Sequence, residues 1–193
     1  GLGDVYKRQN YARQVNTLIG TKGVGLTSGY LYPGATYPYG MVQFTPSYFS
    51  KRSGFVINQL SGGGCEHMGN FPTFPVKGKL KMSPDNILNY RINISEEKGH
   101  AGYYEAKVQE DIHAKLTVTE RTGMASYEYP ADQQYGTVII GGGISATPIE
   151  QAAIVITAPN KCEGYAEGGN FCGLRTPYKV YFVAEFDTDA LES

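Results

Sequence analysis

The eleven residues DIHAKLTVTER, at positions 111–121, carry the clearest structural signal in the sequence. Apolar and polar side chains alternate without a break from Ile112 to Thr119. Because successive side chains of a strand point to opposite faces, this alternation predicts a strand with one buried and one exposed face. His113 belongs to the polar set, so we expect it to be an exposed strand residue.

Further strand-like runs lie on both sides of this segment and indicate the fold class. Glycine- or proline-rich turns separate them at intervals of roughly 8 to 15 residues, and no long helical pattern intervenes. Short strands at this spacing favour an all-β fold, an antiparallel β-sandwich, over parallel βαβ units. The runs are MVQFTP (41–46), GFVINQL (54–60), KGKLKM (77–82), LNYRINI (88–94), YYEAKV (103–108), MASYEYP (124–130), GTVIIGG (136–142), AAIVITAP (152–159) and KVYFVAEFD (179–187).

Composition and charge exclude a disordered chain and disfavour several kinds of partner. The chain has 193 residues, 41% apolar and 18% charged, which suits a globular domain and not a disordered chain. The net charge of −1 does not favour nucleic acid or an anionic membrane as a partner. The longest apolar candidate for a membrane span, 149–158, is too short. An amphipathic stretch at 10–20 is too short for a stable isolated helix, and we interpret it as a lead-in segment.

The three cysteines, Cys65, Cys162 and Cys172, permit at most one internal disulfide. Cys162 and Cys172 flank the glycine-rich stretch EGYAEGGNF, which we interpret as a loop that such a bond could close. The histidines add no zinc-ligand spacing to these cysteines, so no metal site is expected from them.

Residues with chemical potential concentrate in the glycine-rich segment SGGGCEHMGN, at 61–70. Cys65, Glu66 and His67 stand side by side there, where backbone amides can approach a ligand closely. A Cys–His nucleophile is not expected, since adjacent residues of an extended loop point apart and a thiolate needs its base brought close in space. Two readings remain open: contact with a polar ligand, or a purely structural loop.

Three other features receive structural interpretations. The glycines at 141–143 follow a strand without a helix pattern or Walker lysine, so a bulge or tight turn is expected instead of a phosphate cradle. Glu163 and Glu167 are four residues apart, but a loop fixes no geometry between them and we expect them to be solvated. His100 lies in a turn and contacts either a ligand or water. From these residues alone, a β-sandwich without a complete catalytic set is expected.

Several segments, taken in order, resemble glycoside hydrolase family 92, the calcium-dependent exo-α-mannosidases. VNTLIGT (15–21) resembles that family's opening "VNPFIGT", and YPGATYPYGMVQ (32–43) with Thr45-Pro46 is similar to its "YPGAT-PFGMVQ-SP" segment. LSGGGC (60–65), continuing through GNFP (69–72), is similar to its "HLSGTGC…G-P" loop. GHAGYYEAKV (99–108) and KLTVTERTGMASYEYP (115–130) resemble two of its strands. The resemblance extends from about Tyr11 to Asp187.

The resemblance implies an inverting two-domain enzyme: an N-terminal supersandwich-like β-domain and a C-terminal (α/α)6 barrel, with the mannose site between them. It places the acid and base carboxylates and the Ca²⁺ ligands on the barrel. We therefore expect residues 10–193 to be a truncated N-terminal β-sandwich with no catalytic residue and no metal ligand, inactive alone. Residues 1–9, GLGDVYKRQ, are interpreted as a non-native leader. No signal peptide is visible, although the resemblance implies a periplasmic or secreted enzyme acting on α-linked mannose of N-glycans.

The family's glycine-rich loops face the barrel, so the resemblance implies that the matching residues here contact the sugar or the barrel. This chain departs from the family pattern in three respects: Asn58-Gln59 stand where many members have a histidine, Tyr39 replaces a phenylalanine, and tryptophan is absent. The alternative is a free-standing carbohydrate-binding or adhesion sandwich, which a strand-like run close to the C-terminus argues against. The residues expected to bind substrate are Tyr32, Gly34, Cys65, Glu66, His67, Met68 and Asn70.

Overall fold

The computed structural model describes residues 11–21, 31–47, 54–58, 69–83, 93–141, 149–169, 173–174 and 176–191. These residues contain twelve strands, one single-turn 3-10 helix in the lead-in segment (Tyr11–Gln14), and no α-helix, which confirms the all-β prediction. The strands are β1 (Ala35–Thr36), β2 (Gln43–Pro46), β3 (Phe55–Val56), β4 (Thr73–Lys77), β5 (Ile94–His100), β6 (Tyr103–Val108), β7 (Ile112–Val118), β8 (Gly123–Glu128), β9 (Gly136–Ile140), β10 (Ile149–Ala158), β11 (Lys161–Gly168) and β12 (Tyr178–Glu185).

The strands form three sheets, and every named strand pair is antiparallel. The orders are β1-β2-β3-β4-β9, β5-β6-β7-β8 and β10-β11-β12. The five-stranded and four-stranded sheets share one hydrophobic core, so the predicted antiparallel sandwich is confirmed. β7 behaves as its alternation predicts: Ile112, Ala114 and Leu116 are fully buried, and His113 is exposed.

Aromatic rings join the two sheets of the sandwich. Phe55 of β3 stacks on Tyr127 of β8, with centroids 6.0 Å apart, and meets Tyr104 of β6 edge-on at 6.5 Å. The buried hydroxyls have partners: Tyr104 donates to Glu97 Oε2 at 3.0 Å, and Tyr127 hydrogen-bonds Thr73 Oγ1 at 2.5 Å. Burial raises the pKa of Tyr127 because the core disfavours the phenolate.

The expectation of a strand at 77–82 is wrong. The strand here is β4, which contains Pro75 and ends at Lys77. β3 pairs with β4 at Thr73 alone, which leaves most of that edge free of ladder bonds and accommodates a proline. Gly78 then takes the left-handed conformation, φ 69°, and ends the strand. Of the run predicted at 88–94, residues 88–92 lie outside the described residues, and β5 begins at Ile94 and continues to His100.

The glycine-rich stretch around Glu163 is also a strand, not the expected loop. β11 is the central strand of its sheet, and Gly164 allows β10 to approach: a Cβ there would overlap the Ala153 carbonyl. Four residues on a strand span about 13 Å, too far for Glu163 and Glu167 to act as a general acid–base pair. Glu167 is ion-paired with Lys179 instead of simply solvated.

The sequence left open a disulfide between Cys162 and Cys172, and the structure has Cys162 as a free thiol. Cys162 lies near the start of β11, opposite Ala184 of β12. Its thiol is free, and the residue is 6% exposed. Cys172 lies outside the described residues. Burial raises the pKa of the Cys162 thiol, which makes the reactive thiolate scarcer.

We therefore expect the Cys162 thiol to react with a disulfide reagent at least about tenfold more slowly than a model thiol at pH 8, because it is buried and remains protonated. The rate should be measured in the Cys65→Ser/Cys172→Ser variant, so that a single thiol reports. Urea should restore fast labelling. Fast labelling of the folded variant would contradict the burial of this thiol.

The rest of the chain partly covers one side of the three-stranded sheet. Its contact with the rest of the chain includes Phe182 of β12, whose ring lies 4.2 Å from that of Phe71. On the other side, Tyr181 is 72% exposed. In the part of the chain that the structure describes, no helix has the length and apolar character needed to cross a bilayer.

Candidate functional site

One end of the five-stranded sheet collects the polar residues of greatest interest. The register places Thr36 of β1 opposite Gln43 of β2, and Gln43 forms a bridge with Asn58, just beyond β3. Asn58 in turn hydrogen-bonds Asn70, which precedes β4. We call the end defined by Thr36, Gln43, Asn58 and Asn70 the loop end.

Several connections leave the sheet at the loop end. The turn 37–40 joins β1 to β2 there, and the segment 59–68, which lies outside the described residues, is attached there at both of its ends, Asn58 and Asn70. Gly141, which follows β9, donates its backbone N–H to the Pro72 carbonyl at 3.0 Å and so lies next to this end. The antiparallel register therefore brings separate parts of the sequence together without any helix.

The Asn58–Asn70 pair is oriented by its own hydrogen bonds. The backbone N–H of Asn70 donates to Asn58 Oδ1 at 2.7 Å, which fixes the direction of the Asn58 amide. Asn58 Nδ2 then donates to Asn70 Oδ1, also at 2.7 Å. Asn70 Nδ2 is consequently the donor that these two hydrogen bonds leave over. It is fully buried, and within the described residues it has no partner.

An unpartnered buried donor costs about 1–3 kcal/mol of stability, so native proteins rarely keep one without a function. Because this nitrogen is shielded from solvent, a ligand hydroxyl could accept its hydrogen bond only where the loop end opens to expose it. Because Asn70 ends the glycine-rich segment that the sequence singles out, its free donor is the strongest indication of a ligand at the loop end.

Tyr39 is a second feature of the loop end, and its conformation was not expected from the sequence. Gly40 N–H donates to the Tyr37 carbonyl at 2.9 Å and closes a turn in which Pro38 is followed by Tyr39 at φ 59°. This position of a type II turn favours glycine or asparagine, so a tyrosine there is strained. The Tyr39 side chain is fully exposed.

The turn that carries Tyr39 is tied to the opposite sheet. Met41 N–H donates to the Glu120 carbonyl, in the connection between β7 and β8, at 2.7 Å. A Cβ on Gly40 would lie only 3.2 Å from the same carbonyl. The exposed ring is thus presented on a turn with little freedom to move. Only the sequence Tyr-Pro-Tyr-Gly pointed to a turn here; nothing in it signalled the left-handed tyrosine.

Tyr32 and Gly34 precede β1, whereas the loop end follows it. Tyr32 is 5% exposed, and Gly34 donates its N–H to Thr45 Oγ1 at 3.1 Å. The burial of Tyr32 and the hydrogen bond of Gly34 account for these residues without a ligand. Their assignment to substrate binding stays a prediction. Four further expected residues, Cys65, Glu66, His67 and Met68, lie outside the described residues.

The outer face of β5–β8 carries carboxylates, and lysines neutralise them. Lys107 Nζ lies 2.7 Å from Glu96 Oε1, and this hydrogen bond lowers the pKa of Glu96. The pKa of Glu105 is also lowered, first by a hydrogen bond from the Tyr103 hydroxyl. A general acid needs the opposite shift, so these two carboxylates are unsuited to protonating a leaving group near neutral pH.

The described residues contain no group of three or more His, Cys, Asp and Glu side chains placed to hold a metal. Calcium takes six to eight oxygen ligands, with carboxylates prominent among them. The side chains of the described ranges therefore do not fit the calcium ion that the family resemblance implies.

Comparison with known proteins gives consistent matches. Residues 14–193 match the profile of the Glycosyl hydrolase family 92 N-terminal domain. A curated protein from Arthroderma benhamiae, named an uncharacterized secreted glycosidase, is 32% identical over 138 residues, which cover 61% of this chain and 17% of that protein.

Solved structures show the same fold. The family GH92 alpha-mannosidase BT3965 from Bacteroides thetaiotaomicron is 25% identical, with a TM-score of 0.78, and the match covers 92% of this chain and 26% of that one. The inverting mannosidase BT2199 from the same species is 19% identical, with a TM-score of 0.65, over 94% of this chain and 30% of that one. The chain thus spans less than a third of the length of these relatives.

Proposed function

The chain belongs to the family of glycosyl hydrolase family 92 N-terminal domains, and on this premise we propose that it is the sandwich part of an exo-acting α-mannosidase. Its role is to form one wall of a mannose site whose other wall belongs to a C-terminal barrel domain. The enzyme acts outside the cytoplasm, in the periplasm or secreted, on α-linked mannose of glycans. The curated glycosidase relative, named as secreted, supports this location.

The unpartnered Nδ2 of Asn70 carries the assignment of the sugar-facing wall. Once the loop end opens to expose this nitrogen, a mannose hydroxyl would accept its hydrogen bond, and the glycine-rich segment before Asn70 would let backbone amides approach other hydroxyls. Cys65, Glu66, His67 and Met68 belong to the same proposal, since they precede Asn70 in that segment. Tyr39, exposed on its rigid turn, provides an aromatic ring at the same end.

The chemical step is assigned to the barrel domain. In an inverting mechanism one carboxylic acid protonates the leaving oxygen and a second carboxylate activates water. We place both carboxylates, and the ligands of Ca²⁺, on the barrel. Residues of the sandwich bind and orient the sugar and exclude water from one side of it. The chain alone should therefore not hydrolyse 4-nitrophenyl α-mannoside, and hydrolysis by the purified chain would contradict this division of roles.

Binding by the loop end is tested with Asn70→Asp, which keeps the acceptor oxygen toward Asn58 and removes the free donor. We expect the isotopically labelled chain to bind methyl α-mannoside weakly, with NMR shifts at the loop end, and the variant to bind about tenfold more weakly. Loss of one hydrogen bond to the sugar is the reason.

Asn93→Asp is the matched control, because Asn93 is exposed and lies outside the loop end. It should leave the affinity unchanged. Thermal unfolding of all three proteins separates lost binding from lost folding. Equal affinity of folded Asn70→Asp and the parent chain, or the absence of any saturable shift at the loop end, would refute the assignment of this wall.

A further inference from the structure

Phe71, which follows Asn70 at the loop end, has a strained backbone conformation. Its φ of 51° falls in the left-handed region, which favours glycine. Phe71 also precedes Pro72, and the residue before a proline prefers an extended backbone because the proline ring crowds it. Such a conformation persists only where the surrounding structure holds it. The neighbours of Phe71 must therefore stabilise it.

Hydrogen bonds fix the backbone on both sides of Phe71. On one side, Asn70 N–H donates to Asn58 Oδ1 at 2.7 Å. On the other, the Pro72 carbonyl accepts from Gly141 N–H at 3.0 Å. These bonds anchor the two neighbours of Phe71, whereas its side chain is held by a different part of the molecule.

The ring of Phe71 packs on the three-stranded sheet. Although it is only 4% exposed, Phe71 lies outside the hydrophobic core that the described residues of the other two sheets share. Its ring contacts that of Phe182 in β12, with centroids 4.2 Å apart at an angle of 35°. Gly164 lies opposite Phe182 in β11, and a Cβ there would come within 2.8 Å of the Phe182 ring. The glycine thus leaves room for the ring on which Phe71 packs.

We propose that the contact between Phe71 and Phe182 is a latch that keeps the loop end closed over Asn70 Nδ2. Packing on Phe182 stabilises the strained backbone of Phe71. That backbone in turn keeps the adjoining Asn70 side chain in its buried position, where Nδ2 has no partner among the described residues. When the two rings separate, Phe71 can relax to a negative φ, and the peptide that it shares with Asn70 turns. The donor then reaches solvent or a ligand.

The latch makes Phe182 a positioning residue, since it acts on the loop end through Phe71 and not through contact with a ligand. Asn70 Nδ2 can be reached only in the open form. A ligand of this donor therefore binds the open fraction of the molecules and shifts the population toward it. That this ligand is a mannoside rests on the proposed function, whereas the latch rests on the geometry of the two rings.

Exchange of the Asn70 side-chain NH₂ hydrogens with water, followed by NMR, reports the latch without any sugar. Phe182→Ala should accelerate this exchange about tenfold, because the strained backbone loses its support. Tyr181→Ala is the matched control: it truncates the neighbouring ring of β12, which lies on the opposite side of the sheet, and should leave the exchange unchanged. Slow exchange of the Leu116 amide, fully buried in β7, shows that the sandwich is intact. Unchanged exchange at Asn70 in folded Phe182→Ala would overturn the proposal.

Substitutions of Phe71 test the latch even if Phe182→Ala disrupts the three-stranded sheet. Phe71→Ala and Phe71→Gly both remove the ring, but only glycine takes a φ of 51° without strain. Exchange at Asn70 should be about tenfold faster than in the parent chain for Phe71→Ala, and much less accelerated for Phe71→Gly. Equal acceleration in the two variants would refute the latch, since loss of the ring would then act independently of the backbone strain.

Titration with methyl α-mannoside distinguishes the latch from the proposed function. Phe182→Ala should bind the sugar several-fold more tightly than the parent chain, because more of its molecules are open. Fast exchange at Asn70 without tighter sugar binding would refute the sugar-facing wall and leave the latch standing. Tighter binding without faster exchange would refute the latch.

Discussion

Gly34→Ala is expected to lower the free energy of unfolding of the sandwich by about 3 kcal/mol or more. A Cβ at this position would overlap the backbone carbonyl of Phe44 and the backbone and side chain of Thr45, because Gly34, just before β1, lies directly against β2. Neither strand can move away to relieve the overlap, because Ala35 is fully buried and Gly34 N–H is hydrogen-bonded to Thr45 Oγ1. Overpacking a core typically costs about 1–3 kcal/mol, and a clash with backbone atoms belongs at or above the upper limit. That is a large share of the roughly 5–15 kcal/mol by which domains are stable.

Urea unfolding followed by circular dichroism measures the effect of Gly34→Ala. Gly169→Ala is the control, since a Cβ there would come no closer than 3.3 Å to the Thr176 carbonyl, which a small shift relieves. The control should unfold close to the parent chain, while Gly34→Ala should unfold at a clearly lower urea concentration. An unchanged midpoint for Gly34→Ala would show that β1 and β2 are not so closely packed.

Phe55→Ala is expected to lower the free energy of unfolding by about 3–5 kcal/mol, the usual cost of truncating a fully buried phenylalanine. Phe55 is completely buried in a strand of only two residues, and its ring joins Tyr104 and Tyr127 of the opposite sheet. Removal leaves a cavity between the sheets that the rigid rings cannot fill.

Phe186→Ala, at a ring exposed by 36%, removes the same atoms from a less buried place and should cost clearly less than Phe55→Ala. Both free energies come from urea titrations at equal protein concentration. If the two substitutions cost the same, Phe55 does not link the sheets in the way described.

Local patterns predicted the elements that are buried on one face. β7 could be read from the sequence because one of its faces is core and the other solvent, which requires strict alternation. β4 and β11 could not be recognised in this way, because they contain Pro75 and Gly164, residues that are typical of loops. The arrangement of the neighbouring strands accommodates both residues. Those neighbours come from distant parts of the chain and leave no trace in a short window.

The candidate site was only partly predictable for a similar reason. Asn70 was singled out through resemblance to a family motif, but its free donor depends on the bonds made by Asn58, twelve positions away. Neither asparagine alone has a distinctive sequence context. Tyr39 was noticed as a departure from the family pattern, whereas its strain is a property of backbone geometry.

The pairing of β4 with β9 constrains how the chain folds. These strands are joined edge to edge, yet the whole β5–β8 meander lies between Lys77 and Gly136 in the sequence. Closing so long a loop is entropically unfavourable until the meander, with its short hairpin connections, has compacted the intervening chain. Because Gly141 of the segment after β9 bonds Pro72 there, we expect the loop end to be among the last parts of the molecule to assemble.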